Sequence, residues 1–232
     1  MSSLVPILMW AGFLAVWFAL MKIILVVNRR VTKRALLRSP RLDAKSMAAL
    51  LYLYFGGKIF FRSRWFPKRT LAGTVYEEVP FILILGSDIF VLEVRPYPGL
   101  LHNTNADVWR ITPPSGYTKK KEIRIDNPIQ LGKDRAAILR DLLDVFDLPF
   151  QANVESMVIL TDKSHRCENP EQEGLYTVPE ALAYLSRFAP KSKRERKRMK
   201  KRSRPIFGLF ERYSLSQKRA IAKNNKKRLK KK

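Results

Sequence analysis

The sequence predicts a mixed α/β domain with an apolar helix before it and a basic tail after it. Three observations carry this prediction. Strand-like and helix-like segments alternate through the middle of the 232-residue chain, the order that packs helices against a sheet. Residues 4–27 are almost wholly apolar. The net charge of +25 is concentrated at one end: from Pro190 to Lys232 there are 20 Lys and Arg against Glu195 and Glu211, so +18 of it lies there. A field of that size attracts polyanions, either nucleic acid or an anionic membrane surface. The expected organisation is a transmembrane anchor over 1–28, a basic juxtamembrane segment over 29–43, an α/β domain over 44–189 and a disordered basic tail over 190–232.

The first element is LVPILMWAGFLAVWFALMKIILVV, Leu4 to Val27, with 24 residues and one charge, Lys22. A helix of that length spans about 36 Å, enough for a bilayer core with some tilt. Lys22 lies near one end and can snorkel to the headgroups. A cleaved signal peptide is the rival reading, but the run is long, no basic n-region precedes it and no small-x-small site follows. Arg29, Arg30, Lys33, Arg34, Arg38 and Arg41 come next, opposed only by Asp43. The positive-inside rule therefore places the remainder in the cytoplasm, as a single-pass protein.

A second apolar run, Met47 to Phe61, is broken by Gly56, Gly57 and Lys58 and is too short for a comfortable span. KSMAALLYLY reads as a helix ended by Gly56–Gly57, and KIFFRSRWF begins a strand. A helix lying on the membrane surface is the second option there, and a second span the third. VPFILIL and DIFVLEV form a strand pair around a two-residue turn, Gly86–Ser87. Loop-like sequence follows, with Pro96, Pro98, Gly99, Pro113, Pro114 and Gly116. NPIQLGKDRAAILRDLLDVF is a helix with Asn127 as N-cap, Pro128 at its first position and Gln130 completing a capping-box variant. Leu139, Leu142, Leu143 and Phe146 make its buried stripe. VESMVILTD is a further strand. TVPEALAYLSRF is a helix capped by Thr177 with Glu180 and stopped by Pro190.

Few residues offer ordinary catalytic chemistry. Cys167 is the single cysteine, so no intrachain disulfide can form, which suits a reducing compartment. His102 and His165 have no Cys or His neighbour at zinc-ligand spacing and read as loop residues. The stretch GSDIFVLEVRPYPG is different. Its alternation puts Glu93 and Arg95 on the same strand face as Ile89 and Val91. A carboxylate and a guanidinium on an apolar face are either a structural ion pair or the remains of a working site.

The run from about Tyr76 to Phe188 resembles the nuclease-related domain family, NERD, which is related to the restriction-endonuclease-like PD-(D/E)xK nucleases. EEVPFILILGSDIFVLEVRPYPG is similar to the family's strand pair, in which an Asp precedes an apolar strand and a G-[IV]-[FY]-V-[IL]-E-x-K strand follows. Trp109 stands where the family has a Trp. NPIQ resembles its Asn-Pro-x-x-Gln segment, and VESMVILTD with the helix at Thr177 resembles its closing strand and helix. KSMAALLYLY, at the family's first helix, lacks the Gly-Glu pair expected there. The resemblance implies a restriction-endonuclease-like mixed sheet flanked by helices. It also implies phosphodiester cleavage with Mg²⁺, in which carboxylates on neighbouring strands hold the metal and a lysine stabilises developing charge.

By this resemblance Glu93 matches the family Glu and the metal ligand, Arg95 stands at the Lys position, and Pro80 stands at the Asp position. Gln130 falls near the site in the family; helix capping is its other role. The two-residue turn would set residue 80 opposite 93 and residue 78 opposite 95, which leaves Glu78 on the same face, about 7 Å along the strand. Two readings follow. Glu78 and Arg95 form a cross-strand pair and the site is structural or degenerate, or a metal site is rebuilt from Glu93, Glu78 or Glu77. Arg95, with its pKa above about 12, cannot act as a general base in either.

The tail holds two basic blocks around PIFGLFERYSLSQKRAIA, whose Ile206, Phe207, Leu209, Phe210 and Tyr213 form an amphipathic patch able to stack on bases, enter a membrane interface or dock back on the domain. The leading functional reading is a membrane-anchored, cytoplasm-facing, nuclease-like domain that binds nucleic acid, DNA ahead of RNA. The alternative is a non-catalytic membrane-tethered scaffold for nucleic acid, anionic lipid or a protein partner. An RNA- or ribosome-associated membrane protein is a third, resting on the tail alone.

Overall fold

The computed structural model describes residues 4–60, 63–71, 73–104, 107–118, 122–146, 148, 150–216 and 219–224, without the side chains of residues 4–9, 11–13 and 15. The chain forms two compact units, residues 1–39 and 40–232. The first is one helix, α1 (Leu4–Arg38). It runs through the expected boundary at residue 28, so the basic segment from Arg29 to Arg38 continues the apolar helix. Among the described residues no helix is long and apolar enough to cross a membrane. The side chains of residues 4–9, 11–13 and 15, in the first half of the apolar run on which the expected span rests, lie outside the description.

The second unit is a mixed α/β fold, as expected. Asp43 caps α2 (Ala44–Phe55), its carboxylate accepting from Ser46 N at 2.7 Å, and Gly56 ends it in the left-handed conformation. These hydrogen bonds hold the Asp43 carboxyl below its ordinary value. Met47, Leu50 and Leu51 of α2 are fully buried. That apolar stripe belongs to the domain core, which removes the membrane-surface and second-span options for this segment.

A five-stranded sheet forms the centre, in the order β1 (Lys58–Phe60), β4 (Ile82–Leu85), β5 (Asp88–Arg95), β9 (Asn153–Leu160), β11 (Leu175–Thr177). The β1–β4 and β4–β5 pairs are antiparallel, and the β5–β9 and β9–β11 pairs are parallel. The turn at Gly86–Ser87 sets Leu85 opposite Asp88 and Ile82 opposite Val91, the expected register. One expected strand is divided, however. β3 (Gly73–Val79) leaves the sheet and pairs with β2 (Arg64–Thr70) instead, and β4 begins only at Ile82. Pro80 marks the break: it has no N–H for the ladder and restricts Val79 before it.

One sheet face, carrying Ile82, Ile84, Ile89 and Val91, packs on α3 (Pro128–Asp144) through Ala136, Leu139, Leu142 and Leu143. Phe146 of the expected stripe is partly buried against the same cluster. On the opposite face, Phe90 meets Tyr184 and Phe188 at the end of α4 (Val178–Ser186) in edge-on ring contacts. The Thr177–Glu180 capping box forms as expected.

Two segments depart from expectation. The loop-like stretch after Arg95 supplies three strands of a second sheet, whose order is β10 (Arg166–Cys167), β6 (Leu100–His102), β7 (Val108–Thr112), β8 (Ile123–Asp126), with β10 joining from beyond β9. Its core is Trp109, fully buried, with Leu101 and Ile111. The alternation in VWRIT is what buries Trp109 and Ile111. The basic tail, expected to be disordered, forms α5 (Lys193–Tyr213), capped by Ser192, whose Oγ accepts from Glu195 N at 3.1 Å. Met199, Ser203, Ile206 and Phe210 are buried, and Ile206 and Phe210 belong to the same core cluster as β4, β5 and α3. Their 4-3-4 spacing is a helical stripe that offsets the ordering cost of the charged face.

Candidate functional site: an arginine-clasped glutamate

The alternation along β5 that buries Ile89 and Val91 also carries Glu93 onto the α3 face, where it is 1% exposed. α3 approaches closely because Gly132 faces it. A Cβ at Gly132 would stand 3.2 Å from Ser156 Cβ and 3.5 Å from Glu93 Cγ. One turn on, Arg135 reaches over the strand. Its Nη1 donates to Glu93 Oε1, and its Nε donates to the carbonyl oxygen of Glu78 at 2.9 Å. Arg95 Nη2 donates to Glu93 Oε2 at 2.7 Å. Both carboxylate oxygens are thus held by guanidinium groups, one from β5 and one from α3, and Arg135 ties both elements to β3.

These residues line a cavity of about 290 Å³, whose wall includes Glu78, Pro80, Glu93, Arg95 and Arg135. Beside it, burial pushes the Tyr97 hydroxyl above its ordinary value, partly offset by Arg95. Arg95 Nε is buried without a hydrogen-bond partner.

The structure brings together Glu93, Arg95 and Glu78, three of the four expected site residues. Gln130 is elsewhere: its Nε2 donates to Asp134 Oδ1 at 2.8 Å along the exposed side of α3. The expected capping-box variant is therefore not made, although Asn127 does cap the helix through Ile129 N at 2.9 Å. The proposed Glu78–Arg95 cross-strand pair is replaced by the Glu93–Arg95 pair, because β3 turns away at Pro80 and only the Glu78 carbonyl joins the cluster. Glu77, the other carboxylate considered for a rebuilt site, pairs with Lys68 at 2.7 Å across the β2–β3 ladder. Arg135 was not foreseen. Its signal was legible: 135, 139, 142 and 146 are one helical stripe, so Arg135 is a cation at a buried position and demands a buried anion.

The donor set does not fit a divalent cation. Mg²⁺ in phosphoryl-transfer sites takes one or two carboxylates with free oxygens. Here each Glu93 oxygen already accepts from a guanidinium, Pro80 cannot ligate, and the two guanidinium charges against Glu93 repel a cation. Among the described residues no group of three or more His, Cys, Asp or Glu could hold a metal.

The nuclease-related domain family matches residues 45–161, from α2 through the end of β9. No curated protein and no solved structure matches the chain. The family match spans half of the sequence and covers the strand pair, Glu93, Arg95 and Arg135. The chain belongs to the nuclease-related domain family.

Proposed function

We propose that this protein is a membrane-tethered, cytoplasm-facing member of the family that binds nucleic acid without cleaving it. The single observation that carries the reading is the clasp on Glu93. A carboxylate whose two oxygens each accept from a guanidinium is already neutralised by two cations that repel a metal ion, and in this domain it joins β5, α3 and β3. Nucleic-acid binding is supported by α5. Its buried stripe fixes the helix, and Arg194, Arg196, Lys197, Arg198, Lys200 and Lys201 are exposed on it. Closely spaced cations on a folded helix attract phosphates through counterion release.

The tether is supported by the run from Leu4 to Val27 and its basic flank. Trp10, Trp17 and Phe18 are more than half exposed on α1, a surface that water disfavours and lipid accommodates. The positive-inside rule gives the orientation. Carbonate extraction tests the tether, and release of the full chain into the soluble fraction would refute it.

Glu78 in the same cavity favours the second reading, a weakened metal site. Mn²⁺ titration of the full-length protein in detergent, followed by electron paramagnetic resonance, separates the two. The clasped site gives no saturable Mn²⁺ binding, and Pro80→Asp with Arg95→Lys gains it. Saturable binding in the wild type that Glu93→Ala abolishes would establish the metal site instead.

A further inference from the structure

A second concave site lies at the opposite end of β5, where the Gly86–Ser87 turn, the end of α4 and the root of α5 meet around a cavity of about 420 Å³. The turn is pinned to α5: Gly86 N donates to Ser203 Oγ at 2.8 Å. Arg187, Lys191, Arg198 and Arg202 line the cavity, against Asp88 and Glu195. Among the described residues none of the four cations makes an ion pair with a carboxylate. Arg187 instead lies over the Tyr184 ring, 5.5 Å from its centroid, and Arg202 over the Phe150 ring at 6.0 Å. Glu195 is engaged in helix capping, its Oε2 accepting from Lys191 N at 2.6 Å. Burial, with the Glu155 charge, pushes the Asp88 carboxyl above its ordinary value, partly offset by Asn153 and Arg202.

Four cations without ion-pair partners, against two carboxylates in the same lining, leave the concavity net positive. Arginine forks match the geometry of phosphate oxygens. A terminal phosphate carries about −1.5 to −2 charge where a backbone diester carries a single one, so a cluster of cations favours the end of a strand over its continuing backbone. We propose that this cavity binds a terminal phosphate of a nucleic-acid strand, with Arg187, at the end of α4, and Arg198, on α5, as its principal contacts. The proposal rests on the nucleic-acid reading above and adds a preference to it. The site lies apart from the Glu93 cavity, and its α4 and α5 walls lie beyond residues 45–161, so family membership alone does not supply it.

The test compares two forms of one short labelled oligonucleotide, with phosphate or with hydroxyl at both ends, binding to the full-length protein in detergent, by fluorescence anisotropy. The wild type binds the phosphorylated form about tenfold more tightly, the scale of one added charge-assisted contact. Arg187→Gln with Arg198→Gln brings the ratio close to one. Lys200→Gln with Lys201→Gln, an equal charge change on exposed positions that do not line the cavity, weakens both forms and keeps the ratio. Equal binding of both forms by the wild type overturns this site while leaving the nucleic-acid reading intact, and absence of binding to either overturns both. Stronger capture by vesicles containing phosphatidate than by the phosphorylated oligonucleotide overturns the proposal in favour of a lipid headgroup.

Discussion

Glu93 is 1% exposed, and a carboxylate so far from water persists only when it is paired and hydrogen-bonded. Removing it would strand Arg135, itself 12% exposed. Glu93→Ala is therefore predicted to destabilise the domain by about 3 kcal/mol, at the lower end for a broken buried pair because Arg95 is partly solvated. Urea unfolding checks this. A variant as stable as the wild type, or more so, would mark Glu93 as a strained functional group rather than a clasped structural one. A second residue-scale prediction concerns Tyr184, whose hydroxyl donates to Glu155 Oε2 at 2.7 Å; that hydrogen bond, with burial and the Glu155 charge, pushes its pKa up to about 12. The folded value lies above the unfolded value of about 10. The bond therefore contributes fully below pH 10 and is lost as pH rises from 10 to about 12. Tyr184→Phe should remove that part of the alkaline decline in melting temperature; an unchanged decline would contradict the assignment. At this scale the pairing of Glu93 with Arg95 was legible in the alternation of DIFVLEVR. Arg135 was not recognised, since it required reading a charge as a member of the apolar stripe of α3.

Among the elements, α5 differs most from its sequence expectation. Charge density dominates any reading of KSKRERKRMKKRSR, and Met199 is the only apolar residue within it. Ser203 adds a small residue that bonds the Gly86 turn, and the stripe then continues through Ile206 and Phe210. Only the combined register across both composition zones reveals the helix, whereas the apolar patch at 206–213 was evident alone. The chain beyond α5 is also joined to the domain: Leu215 and Trp65 exchange backbone hydrogen bonds of 2.8 and 3.1 Å, and Asn224 bonds both the N–H and the C=O of Tyr76. α5 is thus a part of the fold rather than an appendage. Phe210→Ala should cost about 3–5 kcal/mol, and truncation after Ala189 should yield an aggregating chain. Neutralising Lys200 and Lys201 should leave the melting temperature within about 2 °C, as expected for exposed positions. A truncated protein with a cooperative, undiminished melt would restore the disordered-tail picture. The division of the expected β3–β4 strand has the opposite character. Pro80 announced it, but the hydrophobic continuity of VPFILIL hid the break.

For the molecule as a whole, the mixed α/β class was legible in the alternation of strand and helix, while the order of the central sheet and its two parallel pairs were not, nor was the second sheet, whose strands are short and separated by prolines and glycines. The charge distribution makes a prediction of its own. If α5 is the main nucleic-acid surface, affinity should fall steeply with salt, by about 10³-fold or more between 50 and 200 mM for six or more phosphate contacts. Replacing Arg194, Lys197, Lys200 and Lys201 by Gln should flatten that slope by about four units. A slope unchanged by these replacements would move the interface to another face of the domain. The central claim is that this nuclease-family domain holds nucleic acid and leaves it intact. The most direct measurement incubates the full-length protein in detergent with end-labelled duplex and single-stranded DNA, in Mg²⁺ and then in Mn²⁺, and reads anisotropy and denaturing gel from the same sample. The account predicts bound, full-length strands under every condition. Metal-dependent cleavage that disappears in Glu93→Ala would contradict it.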